Sequence, residues 1–268
     1  MLRVRLVLGY MGWCLRLGAR PWNYFQLNAP WFNARRRLFS KAEMDQLIPE
    51  AWRLRQTPLA ELKQPRHWPV FLKPEWGQNA KGIAVARNNA EWERLRQALL
   101  QQPIPYLVQE AAPGQHEFEI FYIRSAADPT RFAVLSLTET RNLGGDDWPV
   151  NSILNPDTRH TALPLSPQQE RQLWRYMSQL PPFRIARVGV RAESLEAMLD
   201  GHFRIIEINL FVPMPLMLLD EDIPLKQRHD FIRKAMKALA ELTLALPSDQ
   251  KRKRIFWPMF FLNYRIKP

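Results

Sequence analysis

The sequence predicts an α+β protein in which antiparallel strand pairs alternate with helices. Residues 69–72 and 83–86 are short apolar runs on either side of a polar, glycine-containing stretch, which is typical of two neighbouring strands. Residues 117–123 alternate apolar and polar side chains, and residues 131–138 form a matching apolar run. Two hairpin-like pairs of this kind favour an α+β fold over a doubly wound parallel sheet.

Helices are predicted between these strands from their caps and from apolar residues at helical spacing. Ser40 can cap one helix, with Glu43 at the capping-box position, and Ser166 followed by a proline can cap another. The predicted helices cover residues 41–54, 89–101, 166–180 and 230–246. Further strands are predicted over residues 106–109, 186–190 and 203–208.

Three segments lack a clear period. Residues 1–40 are rich in arginine and tryptophan, and we expect an irregular basic arm with at most one short helix. Residues 247–268 form a basic, aromatic C-terminal tail. Residues 141–165 form a long irregular segment, and a loop of that length is more often functional than idle.

Composition excludes several classes of protein. The chain has 268 residues, 46% of them hydrophobic and 24% charged, which supports a globular core and excludes wholesale disorder. No run of about 18 apolar residues is present, so no membrane-spanning helix is expected. A single cysteine, Cys14, excludes a disulfide framework and a cysteine-based zinc site. We therefore expect a cytoplasmic protein.

The net charge of +12 favours an anionic partner. Residues 35–37 and 251–254 are basic clusters, and both lie beside aromatic residues. One interpretation is that they are solvated chain ends. The other is a surface that rests on the inner face of an anionic membrane, with nucleic acid as the less favoured partner.

The first motif that carries chemistry is a strand ending in Lys73 and followed by the loop of residues 77–82. Lysine supplies a compact positive charge, while Gly77 and Gly82 allow backbone amides to approach phosphate oxygens. The pattern is not a P-loop, and a plain hairpin turn explains it equally well.

Two further segments carry carboxylates. Glu110 and Glu117 flank a short connection between strands, where carboxylates can accept hydrogen bonds from an adenine amino group and from ribose hydroxyls. Glu207 and Asn209 alternate onto one face of a strand, so two oxygen ligands project together, as magnesium prefers. Each segment alone is also explained as a polar surface.

Together and in this order, the three segments resemble the ATP-grasp superfamily, with spacing closest to the D-alanine–D-alanine ligases. Those ligases also place a glycine nine residues after the strand lysine, separate two nucleotide-binding glutamates by seven positions, and carry a Glu-x-Asn motif near the C-terminus. The resemblance covers residues 41–245. It implies two α+β subdomains, residues 41–112 and 113–246, that enclose a nucleotide cleft, with the N-terminal substrate subdomain mostly missing.

The resemblance also implies roles for individual residues. Lys73 and the earlier Lys41 would bind phosphates, the loop with Asn79 would cover the γ-phosphate, and Glu207 and Asn209 would hold Mg²⁺. Arg187 would stabilise the transferring phosphoryl group and the tetrahedral centre. The remaining nucleotide contacts would come from Phe71 and Ile206 on the purine faces, Glu110 and the backbone at Ala112 on the adenine edge, and Glu117 on the ribose.

Two departures from the family pattern stand out. Gly189 stands where the family usually has an aspartate metal ligand, so one magnesium is lost or is held by another residue such as Glu193. The acceptor site must also come from elsewhere, and the loop with Arg141, Asp146 and Asp147 is one candidate.

The function implied is an ATP-dependent carboxylate–amine or thiol ligase that works through an acylphosphate. Its cofactors would be ATP and Mg²⁺, and its substrates small-molecule or peptide carboxylates and amines. Two alternatives stay open: an ATP-grasp kinase, and a catalytically degenerate ATP-binding protein at an anionic membrane surface.

Overall fold

A computed structural model describes residues 2–77, 82–144 and 157–265. Two antiparallel sheets form its framework, and helices cover parts of both. The helices are α1 (Leu2–Leu17), α2 (Lys41–Gln46), α3 (Asn89–Leu100), α4 (Pro167–Met177), α5 (Leu195–Leu199), α6 (Leu225–Leu244) and α7 (Phe256–Arg265). The strands are β1 (Gln56–Pro58), β2 (Val70–Pro74), β3 (Ala84–Ala86), β4 (Tyr106–Glu110), β5 (His116–Arg124), β6 (Phe132–Asn142), β7 (Thr158–Leu163), β8 (Ile185–Ala192) and β9 (Arg204–Asn209).

The smaller sheet has the strand order β1-β4-β2-β3. The predicted pair of strands around the glycine loop is confirmed as β2 and β3, with Phe71 opposite Val85. Helix α3 covers one face of this sheet and buries Trp92 completely. Asn88 caps α3 by accepting a hydrogen bond from the backbone amide of Glu91. The opposite face is left for Phe71, Lys73 and their neighbours.

The larger sheet has the strand order β7-β6-β5-β8-β9. The predicted alternation in β5 is confirmed, because Phe118, Ile120 and Tyr122 lie in an apolar core that also includes Leu173 and Met177 of α4. The other face carries two kinds of surface. Near one end of β5 it is apolar and is packed by α1 and α6, and near the other end it is lined by buried polar side chains.

The prediction of an irregular arm over residues 1–40 is wrong for its first part, whereas residues 18–40 contain only short 3₁₀ helices and turns. Residues Leu2–Leu17 form a helix of 16 residues that buries Tyr10 and Cys14 in one core with Met236 and Leu239 of α6. The arginines that obscured the period lie on exposed positions of this helix. Burial against α6 therefore stabilises a helix whose local pattern is weak.

The C-terminal tail also folds. Ile255 and Met259 are buried against Ala29, Phe32 and Leu38 of the N-terminal region. The Nζ atom of Lys253 donates a hydrogen bond to the backbone carbonyl of Phe32 at 2.7 Å. The C-terminal segment is therefore packed on the N-terminal region, while the arginines of residues 35–37 and most of the basic side chains of residues 251–254 stay exposed.

Other boundaries differ from the predictions. The helix predicted over residues 41–54 ends at Gln46, and a short 3₁₀ helix over Glu50–Trp52 follows Pro49. Strand β7 lies inside the segment predicted to be irregular, where its polar alternation gave no clear signal. Within the described residues, no helix combines the length and the apolar character needed to cross a membrane.

Candidate active site

A narrow cavity of about 40 Å³ lies where the exposed face of the smaller sheet meets strand β9 of the larger sheet. The smaller sheet contributes Lys73 and Gln109, and β9 contributes Ile206 and Glu207. Helix α2 closes one side with residues of its first two turns. Side chains from segments far apart in sequence therefore converge at one place.

Lys73 bridges the two sheets. Its Nζ atom donates hydrogen bonds to Oε1 of Gln109 at 2.6 Å and to the backbone carbonyl of Ile206 at 3.3 Å. The same atom lies 5.6 Å from the centre of the Phe71 ring. Gln109 is held in turn by a 3.4 Å contact with Gln56 on β1. Gln56 and Gln109 carry no sequence motif, and only the strand register places them beside Lys73.

The cavity concentrates buried charge. Burial lowers the pKa of Lys73 to about 8, and Glu207 partly opposes this shift while Lys41 reinforces it. Burial also lowers the pKa of Lys41, again opposed by Glu207. Glu207 thus acts on both desolvated lysines, and a bound anion would stabilise their charged forms further. The convergence of Lys41, Lys73 and Glu207 matches the expectation from the sequence.

Asp45 is a member of this cluster that the sequence analysis missed. It lies four positions after Lys41 on α2, so the two side chains project from the same side of the helix. Burial raises its pKa to about 6, against the opposing effects of Arg53 and Lys73. The i, i+4 spacing from Lys41 was the available signal.

Buried charged groups continue across the larger sheet next to the cavity. Glu119 on β5 lies opposite Gly189 on β8, and Gly189 lies opposite Glu207 on β9. Glu117 begins the same face of β5, is 3% exposed, and raises the pKa of Lys73 through its charge. This face of the larger sheet therefore forms one polar surface that includes Glu117, Gly189 and Glu207.

Arg187 lies on this surface, in register with Asn209 of β9. Its Nε atom is 3.3 Å from Oε2 of Glu119, and both side chains are nearly inaccessible to solvent. Burial lowers the pKa of His160 to about 4, and the positive charge of Arg187 adds to this shift. Glu119 therefore holds Arg187 in place. The imidazole of His160 is neutral at physiological pH because its pKa is about 4.

At Gly189, where the resemblance would place an aspartate, the neighbouring strand β5 supplies a carboxylate, that of Glu119. A Cβ atom placed on Gly189 would lie 3.4 Å from Oε1 of Glu119 and 3.3 Å from Cγ1 of Ile206. Glu193, the substitute considered from the sequence, is exposed and lies beyond the end of β8. Glu119 is therefore the carboxylate next to Gly189, a relation that only cross-strand register shows.

Glu207 and Asn209 share a face of β9, as their spacing predicts. The Nδ2 atom of Asn209 donates to Oε1 of Glu207 at 3.1 Å, which brings both oxygen-bearing groups together. Within the described residues, no group of three or more His, Cys, Asp and Glu side chains is arranged to hold a metal ion. Two such ligands fit Mg²⁺ that arrives with phosphate oxygens, because Mg²⁺ typically uses one or two carboxylates plus phosphates and waters.

Several predicted residues are not brought into the cavity. Glu110 follows Gln109, so its side chain faces away from Lys73, and Arg55 lies 3.8 Å from its carboxylate. Ala112 is buried just after β4. Gly82 has φ of +74°, a conformation that favours glycine, whereas Asn79 lies outside the described residues.

The acceptor-site candidates are likewise not confirmed. Arg141 is 60% exposed and pairs at 2.8 Å with Glu139 on its own strand. Asp146 and Asp147 lie outside the described residues.

Three ligases are among the solved structures that resemble this chain. The D-alanine–D-alanine ligase from Bacillus anthracis matches 77% of this chain and 68% of its own, with 12% sequence identity and a TM-score of 0.50. The L-amino acid ligase from Bacillus licheniformis matches 81% of this chain and 50% of its own, at 15% identity and a TM-score of 0.49. The ATP-grasp ligase PsnB, complexed with a phosphomimetic precursor variant, Mg and ADP, matches 80% and 61%, at 16% identity and a TM-score of 0.46.

No protein-family model and no curated sequence matches the chain. The chain spans about two thirds of the D-alanine–D-alanine ligase and half of the L-amino acid ligase. At 12% identity, the match to the first of these shows a shared fold and nothing finer. The predicted α+β architecture with two sheets around a cleft is confirmed. The described part of the chain therefore has the ATP-grasp fold.

Proposed function

We propose that this protein is an ATP-dependent ligase that joins a carboxylate to an amine or a thiol through an acylphosphate. One observation carries the proposal: Lys41, Lys73 and Glu207 converge in a buried cleft between the two sheets, where burial lowers the pKa of both lysines. Two desolvated lysines in one cleft are suited to an anionic ligand such as a triphosphate.

In this proposal residues 41–112 and 113–246 are the two subdomains that close on the nucleotide. Lys41 and Lys73 bind phosphate oxygens, and Glu117 binds the ribose. Phe71 and Ile206 contact the purine. The loop of residues 77–82 covers the γ-phosphate, with Glu110 and Ala112 at the adenine edge.

The cavity must widen before a nucleotide binds. Its volume of about 40 Å³ accommodates only a few water molecules. The hydrogen bond from Lys73 to the carbonyl of Ile206 crosses between the sheets, so it is the contact that a phosphate would replace. ATP binding is therefore expected to exchange this bond for one between Lys73 and the nucleotide.

The proposed reaction has two steps. A carboxylate oxygen attacks the γ-phosphorus, the bond to the leaving ADP breaks, and an acylphosphate forms. The amine or thiol then attacks the acyl carbon, inorganic phosphate leaves, and the nucleophile releases its proton. Arg187, fixed by Glu119 at 3.3 Å, stabilises the negative charge that develops at both stages.

Magnesium would be held by Glu207 and Asn209, and when bound it would neutralise charge on the phosphates. Glu119, beside Gly189, keeps a carboxylate near this position and orients Arg187. Catalysis in this scheme is positioning and charge neutralisation, so it needs no covalent nucleophile from the protein.

Isothermal titration with MgATP tests the nucleotide site. Lys73→Met should weaken binding about 10- to 100-fold, because a charge-assisted hydrogen bond to phosphate is lost. Lys63→Met is the matched control, since Lys63 is exposed in the same half of the molecule and should bind as the unmodified protein does. Equal affinity in all three proteins would contradict the proposed site.

The products separate the ligase from its alternatives. A ligase releases ADP and inorganic phosphate together when carboxylate and amine are both present, and hydroxylamine traps its acylphosphate as a hydroxamate. A kinase retains the phosphoryl group on the product, and a degenerate protein binds MgATP without releasing ADP. Screening carboxylates and amines with these readouts decides among the three.

A peripheral position on an anionic membrane is the additional prediction from charge. Lys251 and Arg252 are exposed, and Trp257 and Phe261 of α7 are 62% and 57% exposed. Deleting residues 251–268 would also remove buried Ile255 and Met259, so the doubly substituted protein Trp257→Ala, Phe261→Ala is the better test. It should bind phosphatidylglycerol vesicles more weakly, and unchanged binding would dismiss the membrane surface.

A further inference from the structure

A second and much larger cavity is lined in part by Arg187 and Asn209. Its volume is about 450 Å³, within the range of pockets that hold small molecules. Most of its surface is apolar. The walls come from α1, from α6, from the aromatic residues after α1 and from residues 211–215.

The apolar wall of α1 is open to solvent. Val7 and Met11 line the pocket, yet they are 55% and 49% exposed. Trp22 and Val212, on neighbouring walls, are 63% and 51% exposed. Apolar side chains that line a concave surface without a partner are typical of a binding site.

The wall formed by residues 211–215 is also strained. Val212 has φ of +49°, and a β-branched side chain rarely adopts this left-handed conformation. Pro213 and Pro215 restrict the same segment. Strain of this kind is maintained where the surrounding structure needs a particular shape, and here the shape is that of the pocket wall.

The charged and amide side chains of the pocket are Arg3 on α1 and Arg187 and Asn209 on the larger sheet. Asn209 is hydrogen-bonded to Glu207 of the phosphate cavity. The Arg187 side chain is only 12% exposed. An apolar pocket with a desolvated guanidinium in its lining is complementary to a molecule with an anionic head and an apolar body.

We propose that this pocket binds the carboxylate substrate, and that this substrate is a straight-chain aliphatic monocarboxylic acid. The inference rests on the proposed function. The carboxylate lies at Arg187, where its oxygen can attack the γ-phosphorus with ADP as the leaving group, and the alkyl chain lies between α1 and residues 211–215. A small zwitterionic amino acid would leave most of the apolar wall in contact with water.

The occupant is an acid rather than a membrane lipid tail or a second copy of the chain for one reason. Arg187 already lies 3.3 Å from Glu119, but its buried Nε atom makes no hydrogen bond within the described residues. A carboxylate can accept hydrogen bonds from the guanidinium that alkyl groups cannot accept. The alkyl chain then contributes through burial of its methylene groups.

The test is calorimetric titration of hexanoate, octanoate and 1-octanol, with and without a non-hydrolysable ATP analogue. Octanoate should bind more tightly than hexanoate, by about fourfold for each methylene. 1-Octanol should bind at least tenfold more weakly than octanoate, because it has no charge for Arg187.

Two variants of α1 locate the binding. Val7→Glu introduces a carboxylate into the pocket and should weaken octanoate binding at least tenfold. Leu8→Glu is the control, since Leu8 is 63% exposed on the same helix and does not line the pocket, and binding should be unchanged.

Three results would overturn the pocket assignment. These are no octanoate binding under either condition, equal effects of Val7→Glu and Leu8→Glu, and octanol binding as tightly as octanoate. The nucleotide arm separates this failure from failure of the proposed function. MgATP binding without octanoate binding rejects the pocket alone, and octanoate binding without MgATP binding rejects the ligase alone.

Discussion

The two cavities, which are linked by the hydrogen bond between Asn209 and Glu207, differ in almost every physical respect. The cavity around Lys73 is about 40 Å³ and is lined by groups with shifted pKa values. The cavity under α1 is about 450 Å³ and largely apolar. The first is held together by charge and hydrogen bonds between two sheets, and the second by hydrophobic packing of helices on one sheet.

This difference suggests how one reaction divides between them. Charged cavities desolvate phosphates and strengthen their electrostatic contacts. Apolar pockets bind the non-reacting part of a substrate and so position the reacting end. In the proposed reaction a phosphoryl donor in one cavity meets a carboxylate in the other, beside the hydrogen bond that links Asn209 to Glu207.

The largest effect is expected at Arg187. Arg187→Met should lower the turnover number by about 10²- to 10³-fold, because a donor that stabilises transition-state charge is lost. MgATP affinity should change little, since Lys41 and Lys73 remain. Steady-state kinetics combined with titration of MgATP measures both quantities.

Glu119→Gln is the companion to this variant. It removes the carboxylate that orients Arg187 while keeping its size, and should lower turnover less than Arg187→Met does. If Arg187→Met weakens MgATP binding and leaves turnover of bound substrate intact, Arg187 belongs to the nucleotide cavity and the division between cavities is wrong.

The next effect concerns metal in the charged cavity. Glu207→Gln should weaken the magnesium dependence of ATP binding by roughly tenfold or more, because a carboxylate ligand becomes a neutral amide. Glu93→Gln is the matched control, since Glu93 is exposed on α3, which covers the other face of the smaller sheet. Titration of ATP at several magnesium concentrations measures the difference, and equal behaviour of the two variants would remove Glu207 as a ligand.

The charged cavity should also respond to pH. The pKa of Lys73 is about 8 in the free protein, and a bound triphosphate would raise it. ATP affinity should therefore fall about tenfold per pH unit above this pKa. Binding above pH 8 should take up a proton, which titration in buffers of different ionisation enthalpy detects. Octanoate binding in the apolar pocket should not depend on the titration of Lys73. The same pH dependence for both ligands would contradict the assignment of two separate binding sites.

The charged cavity could be predicted from the sequence much better than the apolar pocket could. Lys73, Glu207 and Asn209 lie in short strands with clear apolar neighbours, and their order along the chain matches a known pattern. Their convergence followed from that resemblance, because no local pattern shows that β2 and β9 meet. Glu110 shows the limit of the approach, since its strand faces it away from Lys73.

The apolar pocket depends on elements that the sequence concealed. Gly9, Gly12 and three arginines weaken the helical pattern of α1, and only packing against α6 makes the helix clear. Gln56, Gln109 and Glu119 reach their positions through strand register, which a sequence read in one dimension does not give.

The smallest expected effect is on the free energy of unfolding, and it tests how tightly side chains pack around Gly189. Gly189→Ala should lower the free energy of unfolding by about 1 kcal/mol or more, because the new Cβ atom would meet Ile206 and the buried Glu119. Gly12→Ala should raise it by about 0.5–1 kcal/mol, since a Cβ there meets nothing within 4 Å in a helix interior. Urea unfolding measures both, and a stabilising Gly189→Ala would show that the strand face has spare room.

The central claim is that a triphosphate binds between the two sheets at Lys73. A crystal structure with a non-hydrolysable ATP analogue, Mg²⁺ and octanoate tests it most directly. We expect phosphate oxygens within hydrogen-bonding distance of Nζ of Lys73, a metal ion on Glu207 and Asn209, and a lengthened distance from Nζ to the carbonyl of Ile206. A nucleotide bound elsewhere, with Lys73 still bonded to Ile206 as it is now, would contradict it.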